Sequence, residues 1–197
     1  MQPALGPAGA ATPPGADKYS RINTAGQDGR AGSAVAAPCP PMPQLCPVTS
    51  SLLLGTARAA CDEELLLREG ITLCVNVTRQ QPFPGLRGLR GIRVPVFDDP
   101  AEDLARFFEP CGAAMEEAVR AGGRCLVYCK NGRSRSAAIC TAYLMRHRQL
   151  SLKDAFEAVK TARPVAEPNA GFWSQLQKYE EDLQSALLSK GHKNSNV

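Results

Sequence analysis

The sequence predicts an α/β protein with a single domain, and three observations support this prediction. Apolar, strand-like runs alternate with amphipathic helical segments, which is the order typical of α/β folds. The chain has 197 residues, which is enough for one domain of ordinary size. This domain is predicted to span residues 48–188, after an Ala-, Gly- and Pro-rich arm at 1–47 that is expected to be disordered and before a polar tail at 189–197.

The first half of the domain is predicted to alternate strand, turn and helix, because its short apolar runs end at Gly, Pro or Asp. The predicted order is a strand at residues 52–54, a helix at 62–68, a strand at 71–77, a Pro-, Gly- and Arg-rich loop at 79–91 and an extended segment at 92–97.

The second half is predicted to be mainly helical around one further strand. Apolar residues recur at helical spacing over residues 101–120, and Gly122 and Gly123 end that helix. An apolar strand at 125–128 is followed by a short loop containing glycine. The next helix, at 136–148, is apolar on most sides and is therefore expected to be central.

Two helices are predicted at the end of the domain from their capping residues. Ser151 with Asp154 resembles a capping box for a helix that ends at residue 162, before Pro164. Asn169 can cap a last helix. The inward stripe of this last helix is predicted to contain Phe172, Leu176, Tyr179 and Leu183.

Composition and charge exclude several classes of function. Hydrophobic residues make up 44% of the chain and charged residues 21%, as in globular proteins, and no apolar run is long enough for a membrane span. Residues 1–20 lack the features of a secretory signal, so we expect a cytoplasmic or nuclear protein, or both. The net charge of +4 comes without a basic cluster carrying stacking aromatics, so it predicts no nucleic-acid partner and fits an anionic substrate. A monomer is favoured.

The cysteine and histidine content predicts no metal or cofactor. The chain has eight cysteines but no Cys-x-x-Cys pair, and a disulfide framework would require an oxidising compartment. It has two histidines, His147 and His192, and the second lies in the polar tail. A histidine-centred catalytic triad or a His-rich metal site is therefore not expected.

The segment of residues 129–136, here called the cysteine loop, carries the chemical signal of the sequence. A loop that enters a helix directs several backbone N–H groups at one point, and the helix dipole adds positive potential, so it can bind a tetrahedral dianion. Arg135 can hold two phosphoryl oxygens with its planar guanidinium group, which lysine cannot do. The residues predicted to bind phosphate are Lys130, Asn131, Gly132, Arg133, Ser134 and Arg135.

Cys129 is the predicted nucleophile, because the same positive field favours the reactive thiolate. An acid must protonate the oxygen that leaves phosphorus, and the adjacent Asp98 and Asp99 can each supply one. In the second step the same carboxylate would draw a proton from the water that hydrolyses the phosphocysteine intermediate. The hydroxyl of Ser136 would then stabilise the departing thiolate.

Simpler interpretations of these residues exist. A cysteine five residues before an arginine often occurs by chance, and Asp98-Asp99 alone is typical of a solvated turn. Lys130 and Arg133 alone would be surface charges. The preceding strand, the central glycine and the following helix together favour the catalytic interpretation.

These residues and the order of elements resemble the dual-specificity branch of the protein tyrosine phosphatase superfamily, whose signature is Cys-x5-Arg followed by Ser or Thr. The resemblance covers about residues 47–183 and implies a twisted mixed sheet of about five strands flanked by helices. It also implies Asp98, rather than Asp99, as the general acid. Similar residues outside the cysteine loop are Leu54-Gly55, Asn76-Val77, Tyr143-Leu144-Met145, Ala162-Arg163-Pro164, Pro168-Asn169, Phe172 and Gln175-Leu176.

The function implied by this resemblance is the hydrolysis of phosphotyrosine and of phosphoserine or phosphothreonine in proteins. Most relatives have histidine immediately before the nucleophile, whereas this chain has Tyr128, so we expect a slow enzyme unless Tyr128 is a harmless strand residue. Two alternatives remain open. Lys130 and Arg133 suit a phosphoinositide or other non-protein phosphate, and Tyr128 is also compatible with a catalytically weak module that only binds phosphorylated partners.

Overall fold

The structure is a computed structural model that describes residues 44–193, and the side chains of residues 44–189 within that range. Its centre is a five-stranded sheet in the order β1-β2-β5-β3-β4. The strands are β1 (Leu45–Pro47), β2 (Leu52–Thr56), β3 (Ile71–Asn76), β4 (Arg90–Arg93) and β5 (Arg124–Cys129). β1 is antiparallel to β2, and the other neighbouring strands are parallel. The predicted α/β fold with a mixed sheet of about five strands is confirmed.

β5 is the central strand and positions the cysteine loop. Val127 of β5 lies opposite Leu54 of β2 on one side and Val75 of β3 on the other, and all three side chains are buried. Parallel strands covered on both faces have continuous apolar sequences of this kind. Cys129, the last residue of β5, therefore lies at the carboxyl edge of the sheet, where open α/β sheets bind their ligands.

Helices cover both faces of the sheet. The helices are α1 (Ala57–Ala60), α2 (Glu63–Arg68), α3 (Phe108–Arg120), α4 (Arg135–His147), α5 (Leu152–Ala162) and α6 (Ala170–Lys193). The larger core contains buried residues of α3, α4, α5 and α6, and the smaller core on the other face contains residues of α1 and α2. Within residues 44–193, none of the helices has the length and apolar character needed to cross a membrane.

The two predicted helix caps are present. The Ser151 hydroxyl accepts a hydrogen bond from the Asp154 amide at 3.1 Å and begins α5. The Asn169 Oδ1 accepts one from the Phe172 amide at 2.9 Å and begins α6. The predicted stripe of α6 faces the larger core, where its first two residues are fully buried and its last two partly buried.

The predicted ends of the domain require correction. Leu45–Pro47 were assigned to a disordered arm but form β1, because Cys46 is buried and the strand pairs with β2. The rest of the predicted arm, residues 1–43, lies outside the described residues. α6 continues into the predicted polar tail as far as Lys193, and residues 194–197 lie outside the described part of the chain.

Three elements inside the domain also differ from their predictions. The extended segment predicted at 92–97 forms a strand only over residues 90–93, as β4, and the Val96 amide, the next one on the side of β3 after that of Val94, donates to the Val94 carbonyl oxygen at 2.9 Å and not to β3. The helix predicted from residue 101 begins with a 3-10 turn at Ala105–Phe107 and becomes α-helical at Phe108. Pro110 is tolerated in the first turn of α3 but would interrupt a helix that began at 101. The third element, α1, was not predicted, because its four residues are too few to show a helical period.

Candidate active site

The sulfur of Cys129 and the hydroxyl of Ser136 lie in contact across the cysteine loop. Their Sγ and Oγ atoms are 3.1 Å apart, and both residues are almost fully buried. β5 ends at the cysteine and α4 begins with Arg135 and Ser136, so the strand and the helix fix the two ends of the loop. A hydroxyl in this position can donate a hydrogen bond to a thiolate.

A pocket of about 450 Å³ opens beside this sulfur. It brings the predicted acid, Asp98, together with the predicted nucleophile and the arginine, which lie in a different part of the sequence. The lining residues are Asp98, Cys129, Asn131, Arg133, Ser134, Arg135, Glu167, Pro168, Asn169 and Ala170.

Arg135 supplies a positive charge to this pocket from the first turn of α4. One terminal nitrogen of its guanidinium group donates to the Val96 carbonyl oxygen at 3.2 Å. Its Nε is buried and has no hydrogen-bond partner among the described residues. A buried N–H group without an acceptor is costly, so an oxyanion beside it would be favourable. The N-terminal amides of α4 add further donors, because the first turn of a helix has no intrahelical acceptors for them.

Arg163 holds the cysteine loop from behind. It is only 4% exposed, and it donates from Nε to the Gly132 carbonyl oxygen at 2.6 Å and from a terminal nitrogen to the Asn131 carbonyl oxygen at 2.9 Å. Gly132 has a φ of +59°, and a Cβ there would lie 2.6 Å from the Gly55 carbonyl oxygen. The sequence analysis did not predict this role of Arg163. The signal that could have identified it was Ala162-Arg163-Pro164, which resembles the corresponding residues of the phosphatase family.

The two aspartates have different surroundings. Asp98 lines the pocket, and its Oδ1 accepts a hydrogen bond from the Asn169 side-chain amide at 2.9 Å. Asp99 instead accepts from the Ala101 amide at 2.8 Å and stabilises a turn. The backbone N–H of Asn169 also donates to the Ser134 hydroxyl at 3.0 Å, so the start of α6 connects the acid to the cysteine loop. This arrangement supports Asp98 as the acid.

An ion pair that the sequence analysis did not identify lies at the rim of the pocket. Arg133 contacts the Glu167 carboxylate, and the Glu167 amide donates to the Arg133 carbonyl oxygen at 2.8 Å. The side chains are 60% and 63% exposed. The hydrogen bond from Arg133 holds the pKa of Glu167 below its ordinary value.

Two of the predicted phosphate-binding residues do not line the pocket. The Lys130 side chain is exposed outside it, and the Lys130 carbonyl oxygen accepts from the Ala57 amide at 3.3 Å. Gly132 is buried, and its backbone contacts Arg163 behind the loop. The direct phosphate contact predicted for these two residues stays a prediction, and the contacts that the structure shows for them hold the loop conformation.

Tyr128 belongs to the other face of the sheet. Its ring is fully buried in the smaller core, whereas Cys129 belongs to the larger one. Its hydroxyl donates to the Pro82 carbonyl oxygen at 2.8 Å, and burial raises its pKa above the ordinary value. Tyr128 does not line the pocket, so an effect on catalysis would have to act through the loop and not by crowding the substrate.

Comparison with known proteins identifies the family to which this chain belongs. Residues 52–182 match the family model described as the catalytic domain of dual specificity phosphatases. The chain belongs to the dual specificity phosphatase family. Human dual specificity phosphatase 28 is 67% identical over 163 residues, which are 83% of this chain and 90% of that protein.

Solved structures agree with this assignment of the phosphatase. The crystal structure of human dual specificity phosphatase 28 is 70% identical, covers 76% of this chain and 99% of its own, and gives a TM-score of 0.71. A mouse dual specificity phosphatase complexed with zinc tungstate is 64% identical, covers 80% and 97%, and gives 0.72. The protein is therefore a cysteine-dependent protein phosphatase of dual specificity.

Proposed function

We propose that Cys129 is the nucleophile of this phosphatase and that it forms a phosphocysteine intermediate. The observation that carries the proposal is the contact between its sulfur and the Ser136 hydroxyl beside a pocket that also contains Arg135 and Asp98. A mouse relative was solved as a complex with zinc tungstate, which supports binding of a tetrahedral oxyanion by this protein, since tungstate, like phosphate, is tetrahedral.

In the first step, the Cys129 thiolate attacks phosphorus while Arg135 and the loop amides bind the non-bridging oxygens. The S–P bond forms as the P–O bond to the substrate breaks, and Asp98 gives its proton to the leaving oxygen. The hydrogen bond from Asn169 holds the Asp98 carboxyl group at the pocket.

In the second step, the Asp98 carboxylate takes a proton from water as the water oxygen attacks phosphorus. The S–P bond breaks, inorganic phosphate is released and the sulfur leaves as a thiolate. The Ser136 hydroxyl, 3.1 Å from this sulfur, donates to the negative charge as it forms.

We favour phosphoproteins over polyphosphorylated headgroups as substrates. The headgroup alternative depends on Lys130 and Arg133, but Lys130 lies outside the pocket and Arg133 is paired with Glu167. We also propose low activity, because the Tyr128 hydroxyl is committed to Pro82 where most relatives have a histidine that orients the loop.

Location and assembly are further proposals: a monomer in the cytoplasm, the nucleus or both, without nucleic-acid partners. Free buried thiols are typical of reducing compartments, and the free thiols include those of Cys74, Cys111, Cys125 and Cys140. Fluorescence microscopy of the tagged full chain and sedimentation of the purified protein would test this proposal.

The decisive experiment compares the wild type with Cys129→Ser under reducing conditions. Wild type quenched during turnover of a phosphopeptide should carry one acid-stable phosphoryl group on the peptide containing Cys129, detected by mass spectrometry, and Cys129→Ser should show no turnover above background. The matched control is Cys61→Ser, an exposed thiol outside the pocket, which should behave as wild type. Turnover by Cys129→Ser, or a phosphoryl group on another residue, would contradict the proposal.

A further inference from the structure

The ion pair between Arg133 and Glu167 controls which charges are available at the pocket rim. Among the pocket-lining residues, Arg133 and Arg135 are the basic side chains, and Asp98 and Glu167 are the acidic ones. Under the proposed function, Arg135 binds the phosphoryl group that is transferred. Arg133 is then the cation that remains for any second anionic group of the substrate.

Glu167 occupies that cation through two connections. Its carboxylate contacts the Arg133 guanidinium group, and its backbone amide donates to the Arg133 carbonyl oxygen at 2.8 Å. The Glu167 carboxylate is ionised at neutral pH, as an ordinary glutamate is, and the hydrogen bond from Arg133 lowers its pKa further. Both side chains are more than half exposed, so the pair faces the solvent from which a substrate enters.

We infer that Glu167 makes this phosphatase selective for protein residues that carry one isolated phosphate, against sites with a second phosphate on a neighbouring residue. The inference rests on the proposed function and assigns a substrate class to that pocket. A second phosphate would have to displace Glu167 from Arg133 and would remain beside its negative charge. Exposed ion pairs rearrange readily, so this effect lowers the affinity for such substrates without excluding them.

The test uses two synthetic peptides of one sequence. The first carries phosphotyrosine alone, and the second carries the same phosphotyrosine and a phosphothreonine on the adjacent residue. The readout is the ratio of kcat/KM for loss of the phosphotyrosine phosphate, singly over doubly phosphorylated. Glu167→Gln, which keeps the shape but removes the charge, should lower this ratio about fivefold, the size expected for a dianion and a carboxylate a side-chain length apart in water. In the double variant that also carries Arg133→Gln, the ratio should return to about its wild-type value.

The matched control is Glu117→Gln, which makes the same charge change at another exposed pair, with Arg90 at 3.2 Å, outside the pocket. The inference would be overturned if the ratio were unchanged in Glu167→Gln or changed equally in Glu117→Gln. It would also be overturned if the ratio stayed low after Arg133→Gln is added to Glu167→Gln. A small aryl phosphate separates this result from failure of the proposed function. That failure would appear as no wild-type turnover, or as turnover that survives Cys129→Ser.

Discussion

The buried guanidinium group of Arg163 donates to the carbonyl oxygen of Gly132, with Nε and O 2.6 Å apart. The same side chain reaches the Asn131 carbonyl oxygen. Arg163 follows the last residue of α5, so this helix fixes the back of the cysteine loop although it contributes nothing to the pocket lining. A loop whose amides bind an oxyanion must keep those amides convergent, and two carbonyls held by one planar group provide that rigidity.

Arg163→Lys should therefore weaken catalysis, although residue 163 lies behind the loop and does not contact the substrate. A lysine cannot reproduce the two-point contact, and the loss of a charged hydrogen bond to a buried carbonyl should lower the free energy of unfolding by about 2 kcal/mol. We expect weaker binding of tungstate by calorimetry as well as a lower kcat. Arg146→Lys, at an exposed ion pair, is the control. Unchanged tungstate affinity in a folded Arg163→Lys protein would show that the loop does not need this support.

Gly132→Ala should inactivate the phosphatase through the shape of the loop. The residue has φ +59°, and the new Cβ would lie 2.6 Å from Gly55 O and 2.9 Å from Arg163 Nε. Left-handed backbone costs a residue with a Cβ about 1–2 kcal/mol, and the clash adds to that. Gly88→Ala separates the two costs, because Gly88 has φ +80° and open space around it. Thermal unfolding and aryl phosphate turnover would contradict the prediction if both variants behaved alike.

Ser136→Ala should slow the second chemical step more than the first. The departing thiolate would lose the hydroxyl that lies 3.1 Å away, and the loss of one such donor should lower kcat at least about tenfold. Rapid-quench kinetics should then show a burst of released peptide or phenol followed by slow turnover. Thr141→Val, which removes another buried hydroxyl of α4, is the control. Equal slowing of the burst and of the steady state would argue against a role in thiolate departure.

Tyr128→His tests whether the residue before the nucleophile limits the rate. The hydroxyl of Tyr128 is bonded to Pro82, and an imidazole in its place has a ring N–H that could orient the cysteine loop. We expect a several-fold increase in kcat. Tyr128→Phe removes the same hydroxyl without adding a ring nitrogen and should not be faster than wild type. If histidine brings no gain over phenylalanine, Tyr128 is a structural strand residue.

The sequence was most informative where local pattern and chemistry coincide. The strand, the cysteine loop and the helix that follows are contiguous, so the contact of Cys129 with Ser136 could be anticipated from seven residues of sequence separation. Arg163 and Glu167 reach the loop across separations of 31 and 34 residues. Only the packing of α5 and the start of α6 against α4 creates those contacts, and no periodicity or spacing encodes them.

β1 and β4 are parts of the fold that, for the same reason, could not be predicted correctly from the sequence alone. β1 has three residues and is stabilised by pairing with β2, so its sequence alone resembles the Pro-rich arm before it. The burial of Val94 and Val96 produced the alternation expected of a strand, but these side chains fill the core from a segment that is no longer paired regularly. Alternation reports burial, and hydrogen-bond pairing must be supplied by a neighbouring strand.

Alkaline pH should destabilise the fold through its buried thiols. Burial raises the pKa of Cys111 from the ordinary 9.0 to about 11. Above pH 9 the unfolded chain therefore releases this proton while the folded chain retains it, so stability falls as pH rises from about 9 to 11. The loss approaches about 1.4 kcal/mol per pH unit for each such thiol. Urea unfolding between about pH 8 and 10, below the main titration of tyrosine, would measure it.

Cys111→Ala should reduce the slope of this alkaline loss, even though the smaller side chain lowers stability at every pH. The slope counts protons released on unfolding, and the variant has one buried thiol fewer, whereas a packing defect shifts the whole curve without tilting it. Cys61→Ala, which removes an exposed thiol, is the matched control. Parallel curves for Cys111→Ala and wild type would mean that the Cys111 thiol ionises equally in the folded and unfolded chain, contrary to its burial in the larger core.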